Sequence, residues 1–254
     1  MKVVVCVKTA TGAAIDVEDA FQRGGRVGPA VLGPSDAHAV EEALKIVESA
    51  GGEVVVVAVA PAEALGAVRE ALALGAHRAV MLSDPALPTG DLLAVSRALA
   101  ALLKSEPADL YLACWWSGDV DGTMLWVAAG ERLQLPVLAQ ARSLRLADGK
   151  VTTERQAESG DLTMTAPLPC LVEVTETINK PRYPTLKGKQ AAKSKPIRML
   201  RLVDLGLGAA EIGAGTAVTR LSQAPSRRQP LVIDDADSAA ERILAFLEDR
   251  NLVG

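Results

Sequence analysis

DAHAVEEALKIVESAGGEVVVVAVAPAEALGAVREALALGAHRAVML, residues 36–82, is the stretch that decides the fold. Asp36 precedes an Ala-, Glu- and Leu-rich run from Ala37 to Ala50, which Gly51-Gly52 stops. An acidic N-cap at one end and a glycine stop at the other mark a helix. Val54 to Val59 follows as an unbroken apolar run, the kind a strand buried on both faces requires. Pro61 opens a second helix at a tolerated early position; it runs through Val68 and Leu72 to Leu74 and stops at Gly75. Arg78 to Leu82 is the next strand.

The same alternation extends outward. Upstream, Val3–Val7 is a short β-branched strand. Downstream, Asp91 to Lys104 reads as a helix, Asp109 to Ala113 as a strand, and a further helix runs from about Asp121 to Leu133. Strand and helix repeating in units of about 30 residues imply parallel strands with helices on their faces. The fold class is α/β: an open, mainly parallel sheet with helices on both faces, a Rossmann-like adenine nucleotide-binding fold.

After Pro136 the pattern changes. Segments 137–146, 150–157 and 161–167 read as extended, turning at Asp148-Gly149 and Ser159-Gly160. Leu171 to Val174 is another buried strand. A polar, basic loop runs from Asn179 to Lys195 with Pro181 and Pro184 near its start. Residues 204–230 are rich in Gly, Ala, Ser and Arg and read as a connector. Ser238 to Leu247 closes the chain as a short amphipathic helix. The expected division is an α/β domain over 1–200, carrying the loop 179–195, and an extended C-terminal arm over 201–254, whose terminal helix wraps a partner.

Composition narrows the function. The 254 residues hold 27 Lys and Arg against 31 Asp and Glu, a net charge of −4. With no dominant basic block, nucleic acid is not the expected partner. Cys6, Cys114 and Cys170 are too widely spaced for a disulfide framework or a metal cluster. His38 and His77 have no Cys or His at ligand spacing, so no metal site is assigned. No apolar run reaches the roughly 18 residues a membrane helix needs, so membrane insertion is not expected. The start of the chain lacks a signal-peptide layout, and the expected location is cytoplasmic.

Aromatics make up only 3% of the chain, yet Tyr111, Trp115, Trp116 and Trp126 fall close together. They surround one of the loops that matter most. In an open parallel sheet, ligands sit outside the carboxyl ends of the strands, near a topological switch point. Lys8-Thr9-Ala10-Thr11-Gly12 follows the first strand and Ala60-Pro61 the second. Ser117-Gly118-Asp119-Val120-Asp121-Gly122-Thr123 follows the fourth and leads into a helix. Such a turn can present amide N–H groups to a phosphate; it serves equally as a solvated turn with Asp as N-cap. There is no Walker A sequence and no complete dinucleotide fingerprint. No Ser, Cys or His stands in a nucleophile setting, so no catalytic residue is assigned and the chain is not expected to be an enzyme by itself.

Several segments together resemble one family. They are Lys2-Val3-Val4-Val5-Cys6-Val7-Lys8, Ala39-Val40-Glu41-Glu42-Ala43, Arg69-Glu70-Ala71-Leu72-Ala73-Leu74-Gly75-Ala76-His77-Arg78, and Pro181-Arg182-Tyr183-Pro184-Thr185-Leu186 with the lysine-rich stretch after it. All are similar to the β subunit of electron transfer flavoprotein, over about residues 1–205. The resemblance implies an electron carrier subunit of a heterodimer. FAD is held mainly by an α subunit, and electrons arrive from a flavin-dependent dehydrogenase and leave to a quinone oxidoreductase or another acceptor. It implies AMP, or in bifurcating members a second FAD, in the β subunit. The implied site takes in Cys6, Lys8, Gly33, Ser35, Asp36, Val59, Cys114, Ser117, Gly118, Asp119, Asp121, Gly122 and Thr123. A recognition loop puts a leucine, here Leu186, into an apolar pocket on the dehydrogenase, with Arg182 and Tyr183 beside it. Leu186 packed beneath its own loop is the alternative the residues alone allow.

The chain departs from the family pattern. The Gly-Lys-Gln-like start after the fourth strand is Trp115-Trp116-Ser117, and Val120 replaces a glycine between the two acids. Thr123 is displaced by one position. The Asn-Pro-Phe-like start of the first helix is Gly33-Pro34-Ser35, and Ala60 replaces a glycine. The aromatic expected after Lys8 is absent, with Ala13 and Ala14 in that stretch. The tryptophan pair suits stacking on a ring, filling the space of a missing ligand, or covering the interface with α. A stand-alone or homodimeric nucleotide-binding regulator of the same fold remains the alternative function.

Overall fold

Chain order gives β1 (Lys2–Val7), the short strands β2 (Thr9–Thr11) and β3 (Ala30–Leu32), α1 (Pro34–Ala50), β4 (Glu53–Val59), α2 (Leu65–Leu74), β5 (Arg78–Leu82), α3 (Leu92–Ser105) and β6 (Leu110–Cys114). There follow α4 (Met124–Leu133), β7 (Val137–Ala141), β8 (Ser143–Ala147), β9 (Lys150–Ala157), β10 (Gly160–Pro167) and β11 (Cys170–Val174). The last elements are α5 (Leu186–Ala192), β12 (Ile197–Leu200), α6 (Ala209–Ile212) and α7 (Ala236–Glu248). The computed structural model describes residues 1–11, 30–116, 124–213, 215–217, 219–220, 232–233 and 235–253.

Seven strands form one sheet in the order β12-β5-β4-β1-β6-β11-β7, and every neighbouring pair is parallel. The valine runs explain this sheet, because alternate residues face opposite layers. Val3, Val5, Val54 and Val56 pack with Ala39 and Val40 of α1 and Val68 and Leu72 of α2. Val4, Cys6, Val55 and Val57 pack with Ala98 and Leu102 of α3 and Leu125 and Ala129 of α4. Burying each valine on its own side stabilises the fold by on the order of 2 kcal/mol. The expected α/β class is the fold observed, with helices on both faces.

The chain moves outward from β1 through β4 to β5, then α3 carries it back to β6 on the other side of β1. The order therefore reverses between β1 and β6, and a crevice opens at their carboxyl ends. A separate antiparallel sheet, β10-β9-β8, is inserted before β11. β11 then enters between β6 and β7, and β12 closes the far edge beside β5.

Several local expectations are corrected. Asp36 is not an N-cap: Pro34 is the first helical residue, Gly33 precedes it, and no side chain caps this helix. Proline at this position loses nothing, since that N–H would be unpaired anyway. The helix read from Pro61 begins as a 3-10 turn at Ala62–Ala64 before α2. Segment 137–146 is two strands in different sheets, parted at Arg142, whose N–H donates to Glu154 O. The stretch that reads as a connector from residue 204 is packed as far as Thr216. Leu202 and Ile212 are buried in the α3-side core. Asp91, the N-cap of α3, accepts three further hydrogen bonds from Gly215 N–H and from the N–H and Oγ1 of Thr216.

Met1–Leu221 forms one compact unit and Ser222–Gly254 a second. Within the second, Arg250 lies over the Phe246 ring of α7 at 3.8 Å. Ile243, Leu244 and Phe246 remain about half exposed.

Candidate functional site: the crevice and the loop beside it

The crevice is built from chain turns that brace one another. Lys8, the first residue after β1, donates its N–H to Asp36 Oδ2 at 2.9 Å. Asp36 is buried in the first turn of α1, so it ties the turn after β1 to the start of that helix. Gly33 makes this approach possible: a Cβ there would stand 3.0 Å from Asp36 Oδ2 and 3.7 Å from Lys8 O. Ser35 donates its hydroxyl to Glu176 Oε1 at 2.5 Å, linking α1 to the segment after β11. Val59 ends β4, and Ala60 N–H donates to Leu82 O at 3.1 Å.

The thiols are packing groups. Cys6 and Cys114 are fully buried. Burial pushes the Cys114 thiol up to about 12, helped by the charges of Asp36 and Glu176, and burial likewise raises Cys6. Neither is a thiolate at neutral pH.

The aromatic group divides by role. Trp126, on α4, is buried and donates Nε1–H to Cys114 O at 2.8 Å. Tyr111 is buried in β6, where its hydroxyl accepts the Ala108 N–H. Trp115 N–H donates to Val174 O, and Trp116 is 44% exposed at the crevice mouth. Ser117, Gly118, Asp119, Asp121, Gly122 and Thr123 lie outside the described residues. Sequence reading missed Glu176 and Glu173; an acid in the apolar run Cys170–Val174 was the available signal for the second. It also missed an open cleft of about 750 Å³ at the carboxyl ends of β4, β5 and β12, lined by Ala60, Pro61, Asp84, Met199 and Arg201 among others.

The basic loop is fastened at both ends. At its start, Asn179 Nδ2 donates to His38 O and Glu42 Oε2, both on α1. The Arg182 guanidinium is held by Glu41 and Glu48 of the same helix, with Nε 2.7 Å from Glu41 Oε2 and NH1 2.6 Å from Glu48 Oε1. Burial pushes the Glu41 carboxyl up, but Arg182 outweighs it and holds Glu41 and Glu48 both below the usual range.

At its other end the loop is not irregular, as its composition suggested, but forms α5. Thr185 caps this helix, accepting from Gly188 N–H at 3.0 Å. Arg69 of α2 donates to Ala192 O and Lys195 O, and Lys195 Nζ returns to Leu72 O and Ala76 O at the end of α2. Between these fastenings, Tyr183 is 87% exposed and Leu186 83% exposed. Lys187 and Lys189 are also exposed.

A doubly wound parallel α/β domain with its crevice at the β1–β6 reversal defines a Rossmann-like class of subunit. Comparison with known proteins carries it further. The "Electron transfer flavoprotein domain" family matches residues 25–205. The chain is 34% identical over 233 residues to the electron transfer flavoprotein subunit beta of Mycobacterium leprae, covering 88% of each. It is 35% identical over 195 residues to the caffeyl-CoA reductase-Etf complex subunit CarD of Acetobacterium woodii, covering 76% of this chain and 74% of that one. It is 35% identical over 191 residues to the subunit beta of Methylophilus methylotrophus.

The chain belongs to the electron transfer flavoprotein β-subunit family. An electron-transfer role, association with flavin and an α partner follow from that membership. Among the described residues, no helix is long and apolar enough to cross a membrane.

Proposed function

We propose that this chain is the β-like subunit of a heterodimeric electron transfer flavoprotein. It accepts electrons from a flavin-dependent dehydrogenase, with FAD held mainly by α, and the complex passes them to a quinone oxidoreductase or another acceptor. FAD supplies the redox chemistry when bound. This chain's residues hold a nucleotide, present a docking loop and, through the C-terminal unit from Ser222 onward, embrace the partner.

The observation that carries this reading is the exposure of Leu186 and Tyr183 on a loop fastened on both sides. A leucine left in water costs free energy unless a partner covers it. A loop already ordered loses little entropy on docking. Arg182 serves by holding the loop on α1, while Lys187 and Lys189 meet an acidic partner.

An adenine nucleotide suits the crevice. The crevice lies at the carboxyl ends of β1 and β6, where the strand order reverses. Cys6, Lys8, Gly33, Ser35, Asp36, Val59 and Cys114 would line the nucleotide, and the Ser117–Thr123 turn would meet its phosphate.

The test is co-expression with an α-like partner. The complex should be yellow, and Leu186→Ala should slow electron uptake from its dehydrogenase about tenfold or more while FAD content stays unchanged. A complex without flavin, or an unchanged rate, overturns the reading. The likeness to a subunit named for a reductase-Etf complex favours a second reading, a bifurcating member with a second FAD in the crevice. Cofactor extraction separates the two: one FAD with one AMP, against two FAD.

A further inference from the structure

The antiparallel insert does on the α1 side of β7 and β11 what a helix does elsewhere. Val151 of β9 and Ala166 of β10 are buried in one core with Leu138 of β7 and Val172 of β11, and Leu144, Leu146 and Met164 pack against it. β9 and β10 pair without a break, from Lys150 opposite Pro167 to Ala157 opposite Gly160. Side chains alternate across a sheet, so Val151, Thr153 and Arg155 share the core-facing side with their opposites Ala166, Met164 and Leu162. The core covers the first of these pairs and stops short of the last. Leu162 is 39% exposed, and residues 158–163 are exposed throughout.

Two features of this exposed end are unfinished. The first is its edge. β10 is the last strand of its sheet, and among the described residues no strand pairs its other side. Alternate residues of such a strand turn their N–H and C=O outward, a template for another chain. Edges are commonly blunted by shortness, lysine, an internal proline or a bulge. β10 has eight residues, an unbroken register, no lysine, and proline only at its end. Its one charge, Asp161, is already held by Arg142 at 2.6 Å. The edge strand β12, by contrast, has four residues and carries Arg198.

The second feature is Arg155, directly opposite Leu162. Its Nε is sealed from solvent without a hydrogen bond, and among the described residues its guanidinium has no ion pair. A half-buried guanidinium in this state calls for a carboxylate.

Resting on the heterodimer reading above and giving it a surface, we propose that the free edge of β10 receives an extended strand of the α-like partner, which brings a carboxylate to Arg155. Strand addition supplies main-chain hydrogen bonds, and alternate side chains supply the selection. The added strand would lie two lanes from β9, about 10 Å away. An arginine and an acidic side chain on the same face close that gap between them, over Leu162, which the new strand covers. A second copy of this chain fits less well. Paired antiparallel with itself, β10 offers Gly160, Leu162, Met164 and Ala166 on the face of Arg155, none of them acidic. Its only acid, Asp161, is committed to Arg142 in either orientation.

The experiment reads hydrogen exchange, residue by residue, in the co-expressed αβ complex. With the edge covered, consecutive amides from Asp161 to Ala166 should all be slowed by on the order of a hundredfold. Alternating fast and slow amides mean an open edge and overturn the proposal without any variant having to fold. Arg155→Glu should raise the dissociation constant of the complex about tenfold or more and flatten its salt dependence. Wild-type affinity in that variant overturns the carboxylate pairing. Consecutive protection in the chain by itself, unchanged when α is added, gives the edge to a second copy and overturns the α strand. Failure to form any complex with an α-like partner overturns the heterodimer reading instead.

Discussion

Arg182 and Glu41 meet along two edges: Nε lies 2.7 Å from Oε2 and NH2 3.1 Å from Oε1, while the Arg182 backbone N–H also reaches Oε2 at 3.1 Å. A single carboxylate on α1 thus fixes both the side chain and the main chain of the basic loop. The bidentate geometry belongs to arginine, because a lysine ammonium is a point charge without a fork. Arg182→Lys should leave the FAD content of the complex unchanged and slow electron uptake from the dehydrogenase about fivefold, as the loop regains freedom worth on the order of 1 kcal/mol. Stopped-flow reduction of the complex measures this; an unchanged rate would show that the clamp does not serve docking.

Gly188 sits against the end of α2. A Cβ at this position would stand 2.5 Å from Ala73 O, a backbone atom that cannot swing aside. Gly188→Ala should therefore lift α5, costing about 1–3 kcal/mol. It should increase protease cleavage within 180–195 and slow donor reduction, with the far-UV spectrum retained. Wild-type protease resistance in this variant would refute the close packing.

On the other side of the sheet, α4 comes close to β7 through Gly130. A Cβ there would fall 2.3 Å from Val137 Cγ2, on a stiff β-branched side chain. Gly130→Ala should lower stability by about 1–3 kcal/mol in urea unfolding. The double variant Gly130→Ala with Val137→Ala should recover part of that loss.

The buried Glu173 also sets a pH dependence for nucleotide-free protein. Its carboxyl is raised from 4.5 to about 7 in the fold, so the folded state holds its proton more tightly than the unfolded chain. The stabilising contribution is full below pH 4.5 and is lost as pH rises through about 7. Glu173→Gln should gain stability over wild type at pH 8.5, by at most on the order of 3 kcal/mol, and much less at pH 5. A gain of equal size at both pH values would contradict the assignment.

Asp91 gives the opposite sign. Hydrogen bonds from Ala94 N–H and Thr216, with the Gly215 and Thr216 amides, hold its carboxyl down at about 2. That contribution is present above pH 3.8 and lost as pH falls through about 2. Asp91→Ala should lower the melting temperature at pH 7 and open residues 213–217 to proteolysis, because it uncaps α3 and frees Gly215 and Thr216 together. Unaltered proteolysis there would rule out Asp91 as the fastening.

The alternating layers were legible because strand and helix here differ locally, with unbroken valine against Ala-Glu-Leu periodicity. Asp91 was legible only as the start of the α3 run, which it in fact caps. What escaped is set by distant partners. Nothing near Asp36 announces that its carboxylate turns back to Lys8 rather than capping its own helix. Nothing near Arg182 announces Glu41 and Glu48, 141 and 134 residues away. Ile197–Leu200 looks like the tail of a basic loop until β5 offers it an edge. Segment 137–146 reads as one strand because its break lies in the pairing, where Arg142 turns to Glu154. For the crevice, the switch-point rule pointed to the turns after β1 and β6, of which Ser117–Thr123 lie outside the described residues. It did not point to Glu173 and Glu176, since β11 reaches that place by insertion rather than by strand order.

That insertion has a consequence for biosynthesis. Among the described residues β7 pairs with no strand but β11, so a nascent chain that has emerged only through β10 carries an empty lane between β6 and β7. One continuous run, Cys170 to Lys195, then supplies the missing strand, the Glu176 contact to Ser35 and the exposed basic loop in immediate succession. A ribosome stalled before this point releases a chain with neither site. Once past it, translation completes the crevice and the exposed Tyr183–Leu186 loop almost together, so neither can be present long without the other.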